Sequence, residues 1–272
     1  MSKLLKRSFT WGISTVTTIL TLVPDSIIDC VKLSSKLSDD KNLLINRVGF
    51  LIVVLLLSFL INVIFDLCRC RVKIKGRNYT IQVEYGNLFK CKGCQKVIAF
   101  DECFTTKIGT APHEIKKTSI CGQYLINHKN INMKKIISDA GLKPEEEKSK
   151  YKNLNKYKSG SIAPNGDDLL LAFAKLDENG RGYFPTKKEY LESLAVMWEE
   201  IHKHYQKKDV CISVLGGGQT TIGESTPSNQ ELIDLIIGSY KLYSPKLKNP
   251  QKLRIICRRK DDISINKIGD SI

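Results

Sequence analysis

Residues 210–223 read VCISVLGGGQTTIG. Val210–Leu215 is a β-branched, apolar run of strand type, and Gly216-Gly217-Gly218 follows it at once. Helical periodicity resumes with Leu232, Leu235 and Ile236, and Thr226-Pro227 is placed to cap and start that helix. A strand that runs into glycines and then a helix belongs to an open α/β sheet, whose ligands sit at the carboxyl ends of its strands. Three glycines there bare their backbone N–H groups, so a diphosphate can approach closely. The loop lacks the Gly-Lys-Ser/Thr ending of a P-loop and the third glycine of a dinucleotide fold. A flexible strand-to-helix turn is the plainer alternative.

Working outward, Asp168–Leu176 is continuously apolar, as suits a strand buried on both faces. Pro185 opens a helix whose Tyr190, Leu191, Leu194, Trp198 and Ile201 share one face. Tyr79–Tyr85 alternates as a strand and turns at Gly86-Asn87, and Lys96–Phe104 reads as another strand. A loop with Gly109, Pro112 and Gly122 follows, then a short helix over Ile131–Ala140 stopped by Gly141. Lys143–Gly160 reads as a solvated, mobile connector or a frayed helix. Leu253–Cys257 is the last strand, before a polar tail. Helices between apolar strands predict an α/β sheet covered by helices.

Towards the N-terminus, residues 48–65 read VGFLIVVLLLSFLINVIF, uncharged and without a polar stripe. A spanning helix needs about 20 apolar residues, so this run predicts a membrane anchor. Ser8–Pro24 is also uncharged but rich in threonine; it either spans or lies in the interface with Trp11 at head-group depth. Lys3, Lys6 and Arg7 precede it, and Arg69, Arg71, Lys73, Lys75 and Arg77 follow the second run. The intervening loop carries Asp25, Asp29, Asp39 and Asp40. The Lys/Arg excess marks cytoplasmic flanks. It predicts two spans, at about residues 8–24 and 47–67, in a membrane region 1–71, with residues 72–272 in the cytoplasm. Ser58 and Asn62 stand one turn apart on one face. They face either the first span or another copy of the chain, the latter even around a pore.

The 272 residues suffice for one domain behind an anchor, and their net charge of +15 and pI near 9.3 admit three anionic partners. The juxtamembrane cluster favours anionic lipid. No nucleic-acid-binding motif accompanies the charge, so no nucleic acid is expected. Nine cysteines, an odd number without a framework, fit reduced thiols. Cys91-Lys-Gly-Cys94 has metal-ligand spacing but no second pair, and no metal is expected. Asp177-Glu-Asn179-Gly-Arg-Gly182 imitates a calcium loop, yet Arg181 and Lys188 occupy its fifth and twelfth positions; a turn at Asn179-Gly180 is expected instead.

Tyr85–Phe89, Val97–Phe104, Ser119–Leu125, the glycine loop and Leu253–Cys257, in that order, resemble a divergent macro domain. With the two N-terminal hydrophobic segments, the chain resembles the membrane-anchored macro-domain effectors of type II Thoeris antiphage defence. The resemblance implies a three-layer domain, a mixed sheet flanked by helices, behind a two-helix transmembrane hairpin in the inner membrane. It implies an ADP-ribose-derived ligand, a histidine conjugate made by a TIR-domain enzyme, and no cofactor. Binding would then drive homo-oligomerisation and membrane damage. Phe100, Asp101 and Glu102 would lie at the adenosine end or the first ligand loop. Ser119 and Gly122 join the ligand-binding set, and Gly216, Gly217, Gly218, Gln219, Thr220, Thr221 and Ile222 form the second phosphate loop. Hydrolytic macro domains carry an Asn-rich first loop; here that stretch is Phe100-Asp101-Glu102-Cys103, so binding without turnover is expected. The alternatives are a membrane-tethered ADP-ribosyl hydrolase or nucleotide phosphatase, in which Asp101 or Glu102 activates water, and a plain anchor that binds no nucleotide.

Overall fold

The computed structural model describes residues 3–22, 24, 38–218, 220–244, 251–259 and 262–270. Gln219 and the loop acids Asp25 and Asp29 lie outside the described residues. The chain divides into two compact units, Met1–Arg69 and Cys70–Ile272.

In the first unit, α1 (Lys3–Leu22) packs antiparallel on α2 (Asp39–Cys68). The two can approach because Gly12 has no side chain: a Cβ there would stand 2.6 Å from Leu55 Cδ2. Ser58 and Asn62 spend their hydrogen bonds within the chain. Ser58 Oγ donates to Ser8 O at 2.9 Å, and Arg7 Nε donates to Asn62 Oδ1 at 2.7 Å. Arg7 also pairs with Asp66 at 2.9 Å. The α1 threonines bond back to carbonyls of their own helix, Thr10 to Lys6, Thr15 to Trp11 and Thr18 to Ser14. Leu56, Leu57, Leu60, Ile61, Ile64 and Phe65 of α2 stand exposed. Among the described residues, α2 is the helix long and apolar enough to cross a membrane; α1 does not meet that standard.

In the second unit, β5 (Asp168–Leu176) explains the architecture. Its Leu169, Leu171 and Phe173 enter one core, and its Leu170 and Ala172 enter another on the opposite face. That is why Leu169–Ala174 is apolar at every position. The first core is closed by α5 (Lys187–Lys203) and α6 (Asn229–Tyr243) through Tyr190, Leu194, Trp198, Leu232, Ile236 and Tyr240. The second is closed by α3 (Ile120–Asn127) and α4 (Met133–Asp139) through Cys121, Tyr124, Leu125 and Ile137. The result is three layers. Among the described residues the sheet runs β1-β2-β9-β7-β3-β5-β6-β8, with β4 (Ile162–Asn165) paired to β5. Here β1 is Arg71–Lys75, β2 Tyr79–Tyr85, β3 Cys94–Asp101, β6 Gly182–Phe184, β7 Asp209–Ser213, β8 Thr221–Ile222 and β9 Gln251–Cys257. The pairs β2–β9, β9–β7, β7–β3 and β3–β5 are parallel, so their carboxyl ends share one edge.

Five readings of the sequence need correction. The helix expected to start at Thr226-Pro227 is capped instead by Ser228, whose capping box with Glu231 satisfies two amides. The loop around Gly122 holds α3, because Ser119 caps it by accepting from Gly122 N. The stretch Lys143–Gly160 is no mobile connector: Lys148 bridges Asn155, Lys156 pairs with Glu145 and Glu147, and Ser149 and Tyr151 are buried. The polar tail contains α7 (Ile265–Asp270), whose Ile265 and Ile268 enter the first core. Leu191, expected on the inner face of α5, is exposed.

The α1–α2 packing predicts that a Ser8→Cys/Ser58→Cys chain, treated with a short bis-thiol crosslinker, is bridged within one chain. Gly12→Leu should cut the yield at least about fivefold, since an overpacked contact costs ~1–3 kcal/mol. Peptide mapping by mass spectrometry, with each single cysteine as control, reads the outcome. Bridges exclusively between chains would contradict it.

Candidate functional site

A cleft of about 410 Å³ opens at the carboxyl edge of the parallel strands. Ligand pockets run from about 300 to 1,000 Å³, and this edge is where open α/β sheets place them. Five strands deliver its walls. Beyond β2 come Gly86, Asn87 and Leu88; β3 supplies Ala99, Phe100 and Asp101; β5 supplies Phe173 and Ala174. Ser213 and residues 214–218 follow β7, and Ile256 and Arg258 close β9. The first turn of α3 (Ser119, Ile120, Cys121, Gln123), Thr220 and Asn229 complete it.

The glycines are glycines for separate reasons. Gly216 and Gly218 have φ of +78° and +99°, a region that disfavours side chains. A Cβ on Gly217 would stand 2.7 Å from Asn229 Oδ1. Tyr190 props the loop from beneath: it is fully buried and its hydroxyl donates to Leu215 O at 3.0 Å. The loop is therefore a braced piece of bare backbone.

Across the cleft, the N-terminus of α3 carries the positive end of the helix dipole. Arg258 stands at the same rim, 3.4 Å from Thr118 O, and is the cationic side chain among the cleft-lining residues described. Bare amides, a helix N-terminus and a guanidinium make a field suited to an anion.

Asp101 opposes that field, but its carboxylate is committed. It accepts from Cys103 N at 2.9 Å, from Thr105 N at 3.2 Å and from the Thr105 hydroxyl. Burial nevertheless pushes its pKa above the ordinary range, against the lowering effect of those bonds. Burial raises the thiols nearby as well, pushing Cys103 up to about 12 and Cys121 well above its usual value. Thiols so raised are poor nucleophiles.

Of the residues picked from sequence, Phe100, Asp101, Ser119, Gly216, Gly217, Gly218 and Thr220 line the cleft. Glu102 does not. The β3–β5 register shifts between Phe100 and Asp101, which breaks the alternation there. Glu102 is buried and accepts from Ser149 Oγ at 2.8 Å and Leu176 N at 3.2 Å, pinning the 143–160 segment. Gly122 is a packing glycine, since a Cβ there would meet Lys116 O at 2.2 Å. Thr221 and Ile222 form β8 beside β6, with Ile222 in the core. Gln219 lies outside the described residues. Asn87, Asn229 and Arg258 are cleft residues that sequence reasoning missed. Asn229 is one residue past the true helix cap, and Arg258 directly follows the last strand; those positions were the available signals.

A larger, shallow depression of about 730 Å³ lies over the α3–α4 connection, lined by Ile126–Asn132, Lys135 and Asn165 among others. It is lined mostly by the helical layer and shares no lining residue with the cleft at the carboxyl ends of the parallel strands. Its His128 already stacks on Tyr124 at 4.2 Å.

Residues 81–258 match the family model described as Thoeris protein ThsA, macro domain. Thoeris protein ThsA of Bacillus amyloliquefaciens is 27% identical over 265 residues, which cover 94% of this chain and 86% of that protein. Among solved structures, a point mutant of the Oceanobacillus iheyensis macrodomain gives a TM-score of 0.43 at 10% identity, covering 75% of this chain and 100% of that one. The Oceanobacillus iheyensis macrodomain with ADP gives 0.41 at 9% identity, covering 74% and 98%.

Asp101 yields a pH prediction. Its pKa is higher folded than the 3.8 of the free group, so the folded state takes up a proton more readily. Its contribution to stability is fully favourable below the unfolded value and is lost as pH rises through the folded one. Relative to Asp101→Asn, the native chain should therefore lose stability between acidic and neutral pH. Denaturant midpoints of both chains in detergent across that range check this; a constant difference would contradict it.

Proposed function

The chain belongs to the Thoeris ThsA macro-domain family, and from that premise we propose that it is a ligand-gated membrane effector of antiphage defence. Its cleft binds an ADP-ribose-related nucleotide, and α2 carries the second unit at a bilayer. The observation that carries this reading is the braced Gly216-Gly217-Gly218 backbone facing the α3 N-terminus and Arg258 across one cleft. A diphosphate needs backbone donors, a helix dipole and a fixed cation, and these are what converge there.

The signal is a nucleotide made by a TIR-domain enzyme, a histidine conjugate of ADP-ribose. Its binding orders the cleft and shifts an association equilibrium among copies of the chain. The shift can be no larger than the difference in affinity between the two states. Association then gathers the membrane segments and breaches the inner membrane. The α1–α2 pair enters as a hairpin, with both termini and the second unit in the cytoplasm. The threonine hydroxyls of α1, bonded to their own helix, lower the cost of placing it in lipid.

Binding without turnover fits the same cleft. Asp101 is spent on its loop, Glu102 is buried against Ser149, and burial raises the pKa of the nearby thiols. No histidine stands among the described cleft-lining residues to serve as a general base.

Calorimetry of the full chain in detergent, titrated with ADP-ribose and with its histidine conjugate, tests the reading. Saturable binding is expected, tighter for the conjugate. Gly217→Glu should weaken it by about a hundredfold, since a carboxylate ~4 Å from a phosphate costs up to ~4 kcal/mol. Ligand-triggered dye release from vesicles should vanish with it. Unchanged binding by the variant would refute the cradle, and release of ribose or phosphate products would favour the hydrolase.

A further inference from the structure

The first strand of the second unit presents a row of cations that the nucleotide cleft does not use. In β1, Val72 and Ile74 are 8% and 3% exposed and join Ile265 and Ile268 in the first core. Strand alternation therefore puts Arg71, Lys73 and Lys75 together on the other face, all exposed. Side chains two residues apart on a strand stand about 6.6 Å apart, so the three form a straight row. Arg69 and Arg77, both exposed, flank it in sequence.

The neighbouring strands do not neutralise this row. Across the register, Arg71 faces Glu84, Lys73 faces Gln82 and Lys75 faces Thr80. The Glu84 carboxylate is already taken: Arg254 reaches it through Nε at 2.8 Å and Nη2 at 2.6 Å, and Gln82 Nε2 donates at 2.7 Å. Asp209 is matched by Lys252 at 2.9 Å. Among the described residues, Glu84 and Asp209 are thus assigned to Arg254 and Lys252 of β9, and no ion pair is described for Arg71, Lys73 or Lys75.

Cations on an edge strand also discourage pairing with another sheet. That role alone predicts no dependence on a partner. A second fact selects one. β1 begins three residues after α2 ends at Cys68. Three residues reach about 10 Å, close to the Debye length at physiological salt. With α2 in a bilayer, Arg71 stays at the edge of the zone in which head-group charge is felt, and the row runs about 13 Å onward from it, within reach of the same surface.

We propose that the Arg71–Lys73–Lys75 face of β1 is a docking surface for anionic lipid head groups, which holds the second unit against the membrane by its sheet edge. The inference rests on the membrane reading of α2 given above. Three such cations raise partition onto an anionic surface by about a hundredfold, an effect that high salt removes.

The test uses the full chain, reconstituted into nanodiscs of phosphatidylcholine alone or doped with phosphatidylglycerol. Brief acetylation followed by mass spectrometry reads each lysine. Lys73 and Lys75 should label about fivefold more slowly on the anionic discs, with the difference abolished in high salt. Lys188, on the exposed side of α5, should label equally on both. Association with both discs but equal labelling of Lys73 and Lys75 would overturn the docking surface and leave the anchor standing. Association with anionic discs alone, with protection, would support the surface and contradict the span. Failure to associate with either would overturn both. Protection by added single-stranded RNA on neutral discs, without protection by phosphatidylglycerol, would assign the face to nucleic acid and overturn the proposal.

Discussion

The structure of the second unit turns on a stretch of backbone that must stay bare. Gly216-Gly217-Gly218 leaves β7 where the parallel strands end, braced by the buried Tyr190 hydroxyl, with Asn229 close enough to Gly217 to leave little room for a Cβ. A side chain at Gly217 would collide with Asn229, and one at Gly216 or Gly218 would meet an unfavourable φ. Everything else about the cleft follows from what can face such a loop. The α3 N-terminus and Arg258 supply positive potential, while Asp101 is turned to shaping its own loop. The residues that line this cleft all fall within the stretch that matches the ThsA macro-domain family, 81–258.

Much of the scaffold was legible in the sequence where burial leaves a one-dimensional trace. Tyr79–Tyr85 and Asp168–Leu176 are strands with the bounds expected, because alternation and an unbroken apolar run each report directly on the faces a strand buries. The acidic turn at Asp177 also folds as read, with Asp177 Oδ1 accepting from Asn179 N and Arg181 N. The failures share a cause. The helix α3 has eight residues, α7 six, and the 143–160 segment is held by Lys156 ion pairs and the buried Glu102–Ser149 bond. Each depends on a distant partner that periodicity does not encode.

The site was legible to the same degree. A run of three glycines after a strand announces itself. Asn87 and Arg258 do not, because they become neighbours through the parallel pairing of β2 with β9, where Gly86 N donates to Cys257 O at 2.8 Å. Glu102 misled for a converse reason: a one-residue shift in register between Phe100 and Asp101 puts those two in the cleft and leaves Glu102 buried against Ser149 and Leu176, so adjacent acids serve a rim and a strap. In the first unit, Ser58 and Asn62 answer to Ser8 and Arg7 across a contact set by the absence of a side chain at Gly12.

Backbone amide hydrogen exchange reads the central contact at the atoms concerned. With ADP-ribose added to the full chain, peptides spanning residues 214–218 and 119–123 should gain protection together, while those over the α3–α4 connection, residues 126–132, stay unchanged. Protection confined to 126–132, with the glycine loop exchanging as freely as before, would contradict the account and move the ligand to the shallower depression.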